Sequence, residues 1–133
     1  MQLNIKLSLL FFLLLFFACT NDEDNENPEL VGSWKLVEQY SDPGDGSGDY
    51  EPVDSEFTIT FNEDGTFTAN SNMCNMTADT VGSASGKWDD ASGSLEVVGC
   101  AFAGFGITYE IKESYLFIYY PCIEGCGQKF EKE

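Results

Sequence analysis

Two sets of side chains in this sequence are of types that do covalent or coordination chemistry. One is five cysteines, Cys19, Cys74, Cys100, Cys122 and Cys126; the other is an excess of carboxylates, 23 Asp and Glu against 6 Lys. The chain contains neither His nor Arg. A thiol nucleophile therefore lacks the imidazole that usually serves as its base, and a zinc site lacks its commonest ligand. Asp42, Asp45 and Asp49 lie close together in a Gly-rich stretch and offer the hard oxygen atoms that calcium prefers. Their spacing is not that of an EF-hand loop, and they read as a solvated acidic loop. Paired carboxylates across a cleft would suit glycoside hydrolysis, yet no pair stands out among so many acids. No catalytic residue, metal site or cofactor is expected. A formal charge of −17 repels phosphate backbones, and without Arg there is no bidentate phosphate clamp, so nucleic acid is not an expected partner.

The location of the chain is written more plainly than its chemistry. Lys6 supplies the one early positive charge, and Leu7–Phe17 follows as an uncharged apolar run. It is too short for a bilayer-spanning helix, which needs about 20 residues, and has the length of a signal-peptide core. Ala18-Cys19 ends that run. The stretch Leu15–Cys19 resembles the processing box of bacterial lipoproteins, with Phe16 and Phe17 standing where Leu and a small residue are more typical. The resemblance implies removal of residues 1–18, a signal helix, and a diacylglyceryl group on the Cys19 thiol. Residues 19–29 follow as a polar, acidic tether with nothing to bury. A cysteine followed by such an acidic cluster is similar to the surface-export signal of Bacteroidota lipoproteins, which implies lipid anchoring at the outer membrane with display on the cell surface. The membrane, through that lipid, is thus an expected partner, and a protein of the envelope is another. In an exported chain the four remaining cysteines are expected as disulfides, with three possible pairings. The favoured set is Cys74–Cys100 with Cys122–Cys126, the second pair flanking a Gly-containing hairpin link, Ile123-Glu124-Gly125.

These side chains need a scaffold, and residues 30–133 have room for one domain with one core. The patterning there has period two with frequent turn signals and no helical periodicity. Trp34, Leu36 and Tyr40 alternate with Lys35 and Gln39; Phe57, Ile59 and Phe61 with Thr58 and Thr60; Ile107, Tyr109 and Ile111 with Thr108 and Glu110. Asn62–Gly65 is a hairpin signal joining Phe57–Phe61 to Thr66–Ala69. Further strands are expected at Met73–Thr77, Ser85–Trp88, Ser94–Val98, Tyr115–Tyr120 and Gln128–Glu131, and Ser41–Asp54 is expected as one long loop. Eight or nine short antiparallel strands close most simply as an all-β, up-and-down barrel, which leaves no exposed edge.

A family resemblance covers most of this region. Leu30–Leu36 with its Gly32-Ser33-Trp34, then Ile59–Phe67, Gly86-Lys87-Trp88, Leu116–Ile118 and Lys129–Lys132 together resemble the lipocalin-like domains of Bacteroidota lipoproteins. In lipocalins the Gly-x-Trp strand plugs the closed end of the barrel, and a basic residue stands at the barrel base; this chain has no Arg for that place. Met73-Cys74-Asn75 with Cys100 is similar to a second family, the META-type envelope lipoproteins. The first resemblance implies a small hydrophobic ligand, the second a solid structural or interaction module without one. Trp34, Phe57, Phe61, Phe67, Trp88, Tyr109 and Phe117 sit at inward-type positions and are explained by core burial alone. Phe102 and Phe105, in the apolar run Ala101–Gly106, are candidates for lining a cavity mouth, with Trp88 and Tyr109 as further ligand-binding candidates.

Overall fold

The computed structural model describes residues 27–102 and 106–133; the signal segment, Cys19, most of the tether and Phe105 lie outside them. Among the described residues the elements are nine strands: β1 (Gly32–Ser41), β2 (Tyr50–Pro52), β3 (Thr58–Phe61), β4 (Thr66–Ala69), β5 (Ala84–Asp89), β6 (Ser94–Val97), β7 (Ile107–Lys112), β8 (Tyr115–Tyr119) and β9 (Cys126–Lys132). Every pairing is antiparallel, in the order β1-β3-β4-β5-β6-β7-β8-β9, and β9 closes back on β1. The result is an eight-stranded up-and-down barrel. The ninth strand, β2, runs along β1 beyond the stretch taken by β3, with Tyr40 opposite Tyr50.

Two strand assignments differ from the expected ones. Tyr50–Pro52 lies inside the segment read as one loop. It forms a strand because β3 pairs only with Gly32–Lys35, leaving the far half of the same β1 edge open to Glu38–Tyr40 pairing. Met73–Thr77, read as a strand, is a loop. Side chains hold the carbonyls at its end and just beyond it instead: Gln128 Nε2 donates to Thr77 (2.7 Å), Ser55 Oγ to Ala78 (2.6 Å) and Ser71 Oγ to the Asp79 carbonyl (2.5 Å). Those three donors are the buried polar side chains of the domain, so each is satisfied by the loop that covers it. The Cys74–Cys100 and Cys122–Cys126 disulfides are both formed, in the expected pairing.

The two ends of the barrel are built differently. At one end the links are tight: Asn62–Gly65, Asp90–Gly93 and the two-residue turn Glu113-Ser114. Here Trp34 donates from Nε1 to the Leu30 carbonyl (2.7 Å) and Trp88 to that of Asn62 (3.2 Å), so each indole fills the end with its one polar group paired. Lys132 Nζ stands 5.2 Å from the Trp34 ring centroid and donates to the Glu29 carbonyl at 2.7 Å. It places a cation over the indole at this end of the barrel. The opposite end carries the long connections 42–49, 70–83 and 120–125, and residues 98–102 of the link from β6 to β7.

Glu113 and Ser114 both have positive φ, 52° and 68°, the conformation of a two-residue hairpin turn that suits Asn-Gly rather than Glu-Ser. Ser114→Gly is therefore expected to stabilise the domain by roughly 0.5–1 kcal/mol. A urea midpoint that rises with unchanged slope would bear this out; a fall would show that the serine side chain contributes something the backbone does not reveal.

Candidate functional site

The barrel interior is packed with large side chains. Trp34, Trp88, Phe57, Phe61, Phe67, Phe130, Leu30, Leu36, Ile59, Met73, Ile107 and Leu116 are all essentially sealed from solvent. Phe57 and Phe130 meet edge to face at 5.4 Å, and Phe61 and Phe67 lie 5.8 Å apart. Gly86 faces Phe67 across the β4–β5 ladder; a Cβ at that position would sit 2.7 Å from the Phe67 ring and against the Glu96 carbonyl. The aromatic ring occupies the space that a larger residue would need. Met73, from the loop once read as a strand, is fully buried and joins this core, and Cys74 beside it is tied to Cys100.

Against this background Trp88, Tyr109 and Phe102, proposed for ligand contact, do not form one pocket, and Phe105 lies outside the described residues. Trp88 is buried at the tight-turn end. Tyr109 is also buried, and its hydroxyl faces Asp90 in the β5–β6 turn at 3.5 Å; burial first and the Asp90 charge second push that phenol well above its ordinary pKa. Phe102 packs half-buried against the core from the β6–β7 connection, at the other end. The acidic loop is likewise self-contained. Asp42 Oδ1 accepts the amides of Gly44 (2.7 Å) and Gly46 (3.1 Å), and its Oδ2 accepts the Gly48 amide and the Tyr40 hydroxyl. Those donors, the Gly44 amide foremost, hold the Asp42 carboxyl below the usual range. Asp45 and Asp49 accept the amides of Ser47 and Tyr50.

A different cluster lies on the outside of the barrel, near the long-loop end. Strand β1 carries a bulge between Leu36 and Glu38 where it pairs with β9. The inserted Val37 reverses the alternation, so Trp34 and Leu36 point inward while Tyr40, expected on the same face, points outward. On β8 the buried residues are Leu116 and Ile118, which places Tyr115, Phe117 and Tyr119 outside; Phe117 was expected inward. Tyr50 of β2 completes the group. Its ring centroid is 5.3 Å from that of Tyr40 and 5.5 Å from that of Phe117, the latter edge to face. Gly127 makes the arrangement possible: a Cβ there would come within 3.1 Å of the Tyr50 hydroxyl and 3.2 Å of the Tyr119 ring.

Tyr40, Tyr50 and Tyr119 thus wall an open groove of about 340 Å³ whose remaining surface is Tyr120, Gly125 and Cys126. Carboxylates surround it. Tyr40 donates to Asp42 (3.3 Å), Tyr119 donates to Glu110 (2.5 Å), and a Cβ on Gly44 would lie 3.2 Å from the Glu124 carboxyl carbon. All three phenols are raised in pKa by burial, with added contributions from Asp42 on Tyr40 and Glu110 on Tyr50 and Tyr119. The lysines of this face are engaged: Lys129 pairs with Glu38 (3.1 Å) and lies 4.2 Å over the Tyr115 ring, and Lys112 pairs with Glu110 (2.6 Å).

None of these outer aromatics was singled out as a site residue from the sequence. The available signal was Tyr115, Phe117 and Tyr119 alternating with aliphatic residues on one strand, which marks two apolar faces rather than one. Comparison of the chain with protein-family models, with curated proteins and with solved structures finds no match to any of them.

Proposed function

We propose that this protein is a non-enzymatic, lipid-anchored display module of the bacterial cell surface: Cys19 carries the lipid, the acidic segment is the tether, and the barrel works through its outer surface rather than by enclosing cargo. The observation that carries the second half of this reading is the filled interior. Inward positions hold two Trp and several Phe, sealed at one end by Trp34 and packed towards the other by Met73 from a disulfide-tied loop. A cargo pocket of the usual ~300–1,000 Å³ would require displacing these side chains, each worth about 1.5–3 kcal/mol of burial. The first half is supported by the leader sequence and by the five acids among the ten residues after Cys19.

One preparation tests both halves. Wild-type protein is expected to partition into the detergent phase of a phase-separating extract, and Cys19→Ala into the aqueous phase. Detergent-phase partition of the variant would refute the anchor. Native mass spectrometry of the aqueous variant is expected to give the bare polypeptide mass less four hydrogens. An adduct of a few hundred daltons, lost on denaturation, would instead establish an enclosed hydrophobic ligand.

A further inference from the structure

We propose that the groove walled by Tyr40, Tyr50 and Tyr119 binds a small quaternary ammonium compound, a methylated organic cation of the choline type. The proposal deepens the reading that the outer surface does the work.

The groove favours positive charge and disfavours its alternatives. Aromatic faces carry the negative part of the ring quadrupole and attract cations placed over them. The carboxylate of Asp42 accepts the Tyr40 hydroxyl at the groove and Glu124 adjoins the lining Gly125. Lys112 offsets the charge of Glu110, but among the described residues Asp42 and Glu124 have no such ion-pair partner, in a chain of net charge −17, so the potential there is negative and an anion is repelled. Of the three wall tyrosines, Tyr40 and Tyr119 already donate their hydroxyl hydrogens to Asp42 and Glu110, which leaves a sugar or another neutral polyol the Tyr50 hydroxyl as its one phenol donor there. Ring faces and phenol oxygens make up the rest of the walls. The backbone at the groove floor is spoken for as well: the Tyr120 carbonyl accepts the Cys122 amide (2.8 Å) and the Tyr120 amide donates to the Cys126 carbonyl (3.2 Å).

A primary ammonium needs three acceptors to replace its hydration. A trimethylammonium group needs none, sheds water readily and contacts ring faces with its methyls. The same sheet face already holds one such interaction within the chain, Lys129 over Tyr115 at 4.2 Å, whereas no lysine of the chain lines the groove. Tyr50 has a further property that suits a binding residue: it belongs to β2, the strand outside the closed barrel, and is half-buried. Its ring can be changed without removing a barrel strand.

The test is a titration of the full mature protein, solubilised in a non-ionic detergent, with choline. It is followed by calorimetry and by the tyrosine ring resonances. Saturable binding with a dissociation constant of about 1 mM or tighter is expected, shifting the Tyr40, Tyr50 and Tyr119 signals. The uncharged isostere 3,3-dimethylbutan-1-ol, identical in shape, should bind at least about tenfold more weakly, and phosphocholine should also be weaker because of its phosphate. Tyr50→Leu should abolish choline binding, with Tyr50→Phe retaining it. Equal affinity for choline and its neutral isostere would overturn the proposal, as would the absence of saturation or an unaffected Tyr50→Leu variant. A hydrophobic ligand inside the barrel would leave this titration silent and appear as a mass adduct, so failure here and failure of the display reading are separable.

Discussion

Trp34→Ala is expected to destabilise the domain by about 3–5 kcal/mol, a large share of the roughly 5–15 kcal/mol that holds a domain of this size together. Three losses combine. The indole is 1% exposed in the core at the barrel base, so its removal leaves a cavity beside Ile59, its register partner on β3, and Leu36, the next inward residue on β1. The Leu30 carbonyl loses its buried donor and is left unsatisfied. Lys132 loses the ring it lies over and with it the contact that draws the last strand towards the first. Trp34→Phe should recover most of the packing and little of the hydrogen bond, giving a loss of about 1–2 kcal/mol. Equilibrium urea unfolding of the soluble domain separates the two variants. A loss below about 1 kcal/mol for alanine would mean that the barrel base repacks around the gap.

The second large effect belongs to the disulfide between Cys74 and Cys100. It closes a loop of 26 residues, for which chain entropy in the unfolded state gives a contribution of about 3 kcal/mol. The replacement Cys74→Ser with Cys100→Ser should lower stability by that amount. It should also expose the covering loop first, since Met73 would then be held only by its packing and by the Ser71, Ser55 and Gln128 donors. The pair Cys122–Cys126 spans a separation of only 4 residues, and its removal should cost clearly less. Hydrogen exchange on both double variants distinguishes the mechanisms: local opening of residues 70–83 in the first, fraying of the β8–β9 link in the second. Equal losses in the two variants would indicate that loop length does not set the contribution.

The barrel class was legible because its signals are redundant. Strands such as β3, β4 and β6 show clean alternation, Asn62–Gly65 is an unambiguous hairpin link, and eight antiparallel strands have few other ways to bury one face without leaving an edge. Disulfide pairing followed from an even cysteine set and one short hairpin. What escaped was decided by single residues acting through tertiary contacts. The segment Met73–Thr77 has a strand-like apolar spacing, yet its last carbonyl, Thr77, and the next two, Ala78 and Asp79, bond to Gln128, Ser55 and Ser71, which are distant in sequence or invisible as donors until the fold exists. Val37 looks like any strand valine, and nothing nearby announces that it is the extra residue of a bulge; its insertion turns Tyr40 from a core position into a surface one. Phe117 was misplaced for a related reason: Tyr115–Tyr120 is apolar at every position, so alternation could not say which set faces in. The outer groove is made by these same exceptions, together with Tyr50 from a strand hidden in a Gly-rich stretch. A site assembled from pattern breaks is one that pattern reading overlooks.

Both described ends of the polypeptide meet at the Trp34 base. Lys132 is bonded to Glu29, and the Glu133 amide donates to the Ser33 carbonyl at 3.0 Å. Tyr40 is near the other end of the ten-residue strand β1, about 25 Å from Gly32 at a strand's rise. Under the proposed lipid anchor, a tether joining at Asn27 would give the barrel a near pole and a far pole. The near pole, with Lys132 and the tight turns, would then rest towards the lipid headgroups, and a fusion placed after Glu133 would emerge there, close to the bilayer. The far pole offers the tyrosine groove and the exposed Ile123 at its margin to whatever diffuses past. The fold is a stalk in miniature, with its length set by one strand.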